Sequence, residues 1–119
     1  MEELLREKRK DDITLSEEEL LHYFTMICLA IEQTHYQGLC HGNFSSSHIY
    51  LSQNKKVAKL ASFANPTHKT HQQKRYHKPF IGELFYSSPE VRHGAACSKE
   101  GDMWALGAFL VELVRLEKP

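Results

Sequence analysis

Residues 98–116 place Trp104, Leu106, Phe109, Leu110, Val111, Leu113 and Val114 within one helix-length stretch. At 3.6 residues per turn, these side chains point in nearly every direction. A helix apolar all round must be covered on all sides, so this stretch predicts the central helix of a core, with Trp104 and its neighbours inside it. The demand is severe for a chain of 119 residues, which has room for one small domain. Either other segments wrap this helix, or an apolar patch stays open and invites a partner or aggregation.

The remaining segments offer limited cover. Ser16 followed by Glu19 is a capping box, and Glu17 and Glu18 suit the positive end of a helix dipole. Leu21, Phe24, Cys28 and Ile31 follow at three- and four-residue steps and mark one apolar face. Gly38 supplies a C-terminal stop, giving a helix about 30 Å long. Residues 1–12 are highly charged around Leu4 and Leu5 and read as a short helix or a frayed end. His48–Leu51 and Val57–Leu60 flank Ser52-Gln53-Asn54-Lys55-Lys56 and predict a small β-hairpin. Residues 61–80 have neither period and read as an exposed loop. The class is therefore mainly α (α+β), in the order helix, hairpin, long loop, helix.

Charge and composition narrow the function. Fifteen basic and fifteen acidic residues balance, so no global field draws the chain to nucleic acid or to an anionic membrane. No apolar run approaches the roughly 20 residues of a membrane span. The first residues lack the apolar core of a signal peptide. Cys28, Cys40 and Cys97 form no metal-finger spacing and read as free thiols in a reducing, cytoplasmic setting, with Cys28 and Cys40 buried or half-buried. His68, His71 and His77 match no strong zinc motif, and a solvated loop is the simpler reading. Lys69, Lys74, Arg75 and Lys78 make the loop 65–80 a basic patch suited to an acidic protein partner, although most such runs are simply hydrated.

Four motifs carry a resemblance. His41-Gly42-Asn43-Phe44-Ser45-Ser46-Ser47-His48 resembles a protein kinase catalytic loop, where the family has His-Arg-Asp, four residues, then Asn. Ser62-Phe63-Ala64 resembles the metal-binding Asp-Phe-Gly. Ser88-Pro89-Glu90 resembles the Ala-Pro-Glu that ends an activation segment. Asp102-Met103-Trp104-Ala105-Leu106-Gly107 resembles the start of the large lobe's central helix. Each is weak alone, but all four occur in the family's order and spacing. Met26 to Ile31, the Ile81-Gly82 pair, the Ser-Pro-Glu ending and Trp104 to Gly107 are similar to NIMA-related (Nek) Ser/Thr kinases. The resemblance implies that residues 1–119 are a partial kinase large lobe, from after the hinge to the central helix, with the small lobe and later helices lying outside it.

The resemblance also assigns roles, and the chemistry at those positions is altered. The catalytic base is replaced by Asn43, a neutral amide that accepts no proton near pH 7. The lysine that steadies the γ-phosphate is replaced by Ser45. The two magnesium positions hold His48 and Ser62, an imidazole and a hydroxyl where hard, charged oxygen is wanted. His48 reads as a loop histidine, and Asn43 as a structural hydrogen-bonding amide. Ala64 replaces the flexible glycine, and Glu83 replaces a threonine that faces the catalytic Asp in the family. Gly42 replaces the arginine that receives an activation-loop phosphate, so phosphorylation at Thr67 or Thr70 lacks its usual receptor. The structural set is retained: His41, Phe63, Pro89, Glu90, Asp102, Trp104 and Gly107, with Ile49 and Leu51 as core positions beneath the adenine site. The arginine that pairs with Glu90 in the family lies beyond this chain, so Glu90 is expected unpaired or exposed.

The expectation is a pseudokinase that needs no cofactor and acts, if at all, as a protein-interaction or scaffolding module. The partner would meet the basic loop 65–80 or the exposed central helix, with no nucleic acid or membrane involved. Two alternatives stay open. One is residual Ser/Thr kinase activity, with ATP and magnesium, inside a longer chain or complex. The other is a truncated product without independent function. Family analogy extends the cytoplasmic expectation to cytoskeletal or ciliary settings.

Overall fold

The computed structural model describes residues 1–63 and 83–119. The loop 65–80 with its histidines, basic residues and threonines, together with Ala64, Ile81 and Gly82, lies outside the described residues. Among the described residues there are four helices: α1 (Glu2–Lys10), α2 (Glu17–Tyr36), α3 (Pro89–Arg92) and α4 (Lys99–Arg115). Two strands, β1 (Ile49–Leu51) and β2 (Ala58–Leu60), pair antiparallel. One-turn 3₁₀ helices at Ser46–His48 and Leu84–Tyr86 flank the functional loops. The chain is mainly α with one small sheet, as the sequence implies.

Helix α2 starts and stops as its sequence requires. Ser16 Oγ accepts from the Glu19 amide at 3.1 Å, and Glu19 Oε2 accepts from the Ser16 amide at 2.9 Å. Such a cap contributes about 1 kcal/mol. At the far end, Gly38 sits at φ +77°. Its amide donates to the His35 carbonyl, and the Leu39 amide donates to the Thr34 carbonyl. This pair of bonds satisfies carbonyls that a helix end otherwise leaves orphaned.

The buried stripe of α2 is not the expected one. Tyr23, Ile27, Ile31 and Thr34 face inward, Phe24 and Cys28 are half-buried, and Leu21 is 52% exposed. Leu20, Leu21, Met26, Ile27 and Leu29 supply more apolar positions than one stripe holds, so periodicity alone leaves the face ambiguous. The hairpin decides it. Tyr23 Oη donates to the Lys55 carbonyl at 3.0 Å, and His22 Nε2 meets the Lys56 carbonyl at 2.9 Å. The hairpin itself pairs Ile49 with Leu60, Tyr50 with Lys59 and Leu51 with Ala58, one residue shorter on each strand than its apolar runs suggest. Ile49 is fully buried and Leu51 half-buried.

Helix α1 is anchored, not frayed. Leu4 and Leu5 join the core, and the Arg9 guanidinium donates to the Leu116 carbonyl just past α4. Helix α4 departs most from expectation. Ser98 caps it by accepting from the Gly101 amide at 3.0 Å. Asp102, Ala105, Leu106, Phe109, Glu112 and Leu113 are buried, but Met103, Trp104, Val111 and Val114 are 41–57% exposed. The central helix is thus covered on one side only, by α2, the hairpin-side loop and the Leu84–Tyr86 turn. Trp104 is not a core residue, because among the described residues no element packs over its side of α4.

Phe109 is the centre of what is covered. It is 0% exposed and meets the Phe44 ring edge-on, with centroids 5.5 Å apart at 89°. Phe109→Ala removes that contact and leaves a cavity; the expected loss is about 3–5 kcal/mol, measured by urea titration against the unaltered chain. Gly38→Ala offers a contrast. An added Cβ meets nothing within 4 Å, so its expected cost of about 1–2 kcal/mol comes from the left-handed backbone alone.

Candidate functional site

The loop 40–48 follows α2, and its fold is fixed by one carboxylate on α4. Asp102 is 2% exposed. Its Oδ2 accepts from the His41 amide at 2.7 Å and meets His35 Nε2 at 2.8 Å, while Oδ1 accepts from the Gly42 amide at 2.8 Å. Burying an unpaired carboxylate is prohibitive; three donors and the first turn of a helix make it tolerable. Gly42 adopts φ +70°, a conformation that side chains rarely take, so glycine here spares backbone strain that the family's arginine would add.

His41 links this loop to the segment after β2. The ring is fully buried; Nε2 donates to the Ala61 carbonyl at 3.0 Å, and Nδ1 accepts from the Asn43 amide at 3.3 Å. A carbonyl can only accept and an amide can only donate, so the imidazole is neutral with its proton on Nε2. Burial pushes its pKa below the ordinary value, against the opposing pull of the Ala61 carbonyl and the Asp102 charge. Phe63 stacks on it at 4.5 Å between centroids while remaining 41% exposed. His41 thus lies against Phe63 and is held through its amide by Asp102.

The positions with altered chemistry are engaged with one another. His48 Nδ1 donates to the Asn43 carbonyl at 2.7 Å and lies 3.2 Å from Ser45 Oγ. Ser45 Oγ lies 2.6 Å from Ser47 Oγ, and Ser47 donates to Glu83 Oε1 at 2.7 Å. Lys118 closes the chain on Glu83 Oε2 at 2.8 Å. Burial resists ionisation of Glu83, but donation from Lys118 and Ser47 outweighs it and holds the carboxyl below its ordinary pKa. Glu83 thus faces Ser47 and Lys118. Ser62 is exposed, with φ +62°. No cluster of three or more His, Cys, Asp or Glu able to hold a metal occurs among the described residues.

A second buried cluster escaped sequence reasoning. Glu112 of α4 accepts from Ser46 Oγ at 3.0 Å and from Tyr86 Oη, and both Tyr86 and Glu112 are 2% exposed. Burial raises the pKa of each. The available signal was a lone carboxylate inside an otherwise apolar stretch. Of the structural motif residues, Pro89 opens α3, Glu90 is exposed, and Gly107 has open space where a Cβ would sit.

These features define a kinase lobe, and comparison agrees. The family model "Protein kinase domain" matches residues 1–119, so this chain belongs to the protein kinase domain family. It is Nek-like. It is 30% identical over 114 residues to mouse serine/threonine-protein kinase Nek5, covering 96% of this chain and 18% of that protein. It is 32% identical over 102 residues to Caenorhabditis elegans serine/threonine-protein kinase nekl-2, covering 86% of this chain and 28% of that protein. Human NUAK family SNF1-like kinase 1 is 34% identical over 101 residues, covering 84% and 15%. The chain therefore spans less than a third of the length of these relatives.

The depressed pKa of His41 carries a pH signature. Stability from the neutral ring is fully present above the unfolded value of about 6.5 and is lost as pH falls through the lower folded value. Melting temperature should drop on acidification below about pH 6.5, and His41→Gln should flatten that part of the profile. An unchanged slope in the variant would assign the acid sensitivity elsewhere.

Proposed function

We propose that this Nek-like lobe does not transfer phosphate and serves as a protein-interaction module. The observation that supports this most directly is the closed hydrogen-bond chain Asn43–His48–Ser45–Ser47–Glu83. By resemblance, Ser45 and His48 stand where the family has its phosphate lysine and a metal-holding Asn, and Asn43, at the base position, joins through its main-chain carbonyl. Glu83 and the Lys118 paired with it close this chain of polar groups at one end. Loss of single catalytic groups costs orders of magnitude in rate, and here several are replaced together.

The interaction role rests on α4. Met103, Trp104, Val111 and Val114 expose apolar surface on one helix, a pattern more typical of a contact surface than of a free one. The basic loop 65–80 is the other proposed contact. The proposed setting is the cytoplasm, with no cofactor; among the described residues no helix is long and apolar enough to cross a membrane.

The test is thermal shift with ATP, with and without magnesium, beside a phosphate-transfer assay on a generic Ser/Thr substrate. No nucleotide-dependent rise in melting temperature and no transfer above background are expected. Magnesium-dependent transfer abolished by Asn43→Ala would establish the competing reading, residual kinase activity.

A further inference from the structure

The fold brings together two cysteines, Cys40 and Cys97, that are 57 positions apart in sequence. Cys40 Sγ lies 3.7 Å from the Cys97 carbonyl oxygen. Both are thiols in this structure, with Cys40 buried and Cys97 half-buried. We propose that Cys40 and Cys97 form a reversible intramolecular disulfide, a redox modification site that joins the catalytic-loop segment to the start of α4.

The surroundings favour such a bond. Cys40 directly precedes His41 and Gly42, whose amides are fixed on Asp102. Cys97 directly precedes Ser98, the cap of α4. Lys99 Nζ donates to the His35 carbonyl at 2.6 Å, and His35 meets Asp102, so the two backbone segments are already held on each other. A disulfide demands Cα atoms within about 7 Å, and engineered ones fail when the backbone must move to comply. Here the two segments are held on each other by His35, His41 and Gly42 around Cys40 and by Lys99 and Asp102 after Cys97. Cys97 also borders a small cavity shared with Gly42, Ser88 and Gly101. Cys28 lies mid-way along α2, apart from this joint, and serves as an internal control.

The oxidant is a small-molecule disulfide such as oxidised glutathione. Cys97 is the more accessible thiol and reacts first. Its thiolate, having lost a proton to solvent, attacks one glutathione sulfur and expels the other as glutathione thiolate. The Cys40 thiol then loses its proton, and its sulfur attacks the Cys97 sulfur of the mixed disulfide, expelling the second glutathione. The protein loses two hydrogens, and one glutathione disulfide becomes two glutathione thiols.

The experiment incubates the whole chain with oxidised glutathione, then counts thiols with a chromogenic reagent under denaturing conditions and maps the linked peptides by mass spectrometry. The expected result is a fall from three thiols to one. A mass loss of two hydrogens, a cross-link between the Cys40 and Cys97 peptides, and full reversal by dithiothreitol complete it. The oxidised monomer should melt about 5 °C or more above the reduced one, because a long loop is closed in the unfolded state. Cys28→Ser should retain the cross-link, whereas Cys40→Ser or Cys97→Ser should abolish it. Three titratable thiols after oxidation, a stable glutathione adduct on Cys97, a cross-link that includes Cys28, or only intermolecular disulfides would each overturn the proposal. Because the wild-type and Cys28→Ser readouts decide the matter, misfolding of the other two variants does not obscure it.

Discussion

The rest of this structure depends on the Asp102 carboxylate. Removed from water, a carboxylate is among the most costly groups to bury, and it fixes whatever neutralises it. Here its three partners are the His35 imidazole at the end of α2 and the successive amides of His41 and Gly42. One side chain thereby sets the angle between α2 and α4 and the path of the loop between α2 and β1. Through His41 and its bond to the Ala61 carbonyl, it also sets the exit from β2. None of these bonds uses Ser45, His48 or Ser62, and only the main chain of Asn43 takes part. That separation explains how a kinase loop can keep its course while its chemical groups are exchanged.

Glu112 plays a related part ten positions further along α4. It gathers Ser46 from the loop and Tyr86 from the turn just before Ser88-Pro89-Glu90. The two carboxylates stand at either end of the buried side of α4, with Phe109 and Leu106 between them. Apolar packing supplies the driving force in the middle, but it tolerates sliding; hydrogen bonds to buried charge at both ends do not. The helix is held in register by its polar residues and held in place by its apolar ones.

The sequence made the element order legible, and physics explains why. The Ser16–Glu19 box and Gly38 act within a few residues, so the limits of α2 could be read locally. His41, Phe63 and Asp102 were legible through their motif context, although their contacts span dozens of residues. Burial was less legible. Which stripe of α2 faces inward was decided by hydrogen bonds from Tyr23 and His22 to a hairpin turn more than 30 residues away. Trp104 was misplaced because an apolar residue in a helix signals that it can be covered, not that a cover is present. Glu112 and Tyr86 passed unnoticed because a single carboxylate in an apolar run resembles a surface residue until its partners are in view.

The bond from Arg9 to the Leu116 carbonyl has a consequence for how this chain comes into being. Helix α1 is made well before the group that receives its guanidinium, which lies 107 positions further along the chain. Asp102 similarly arrives some 60 residues after the amides that it organises. Until α4 emerges, α2 and the hairpin must wait with their inner faces unfilled. Contacts so distant in sequence slow the search for the native arrangement. Within these residues, the local elements are therefore complete before the contacts with α4 that join them can form.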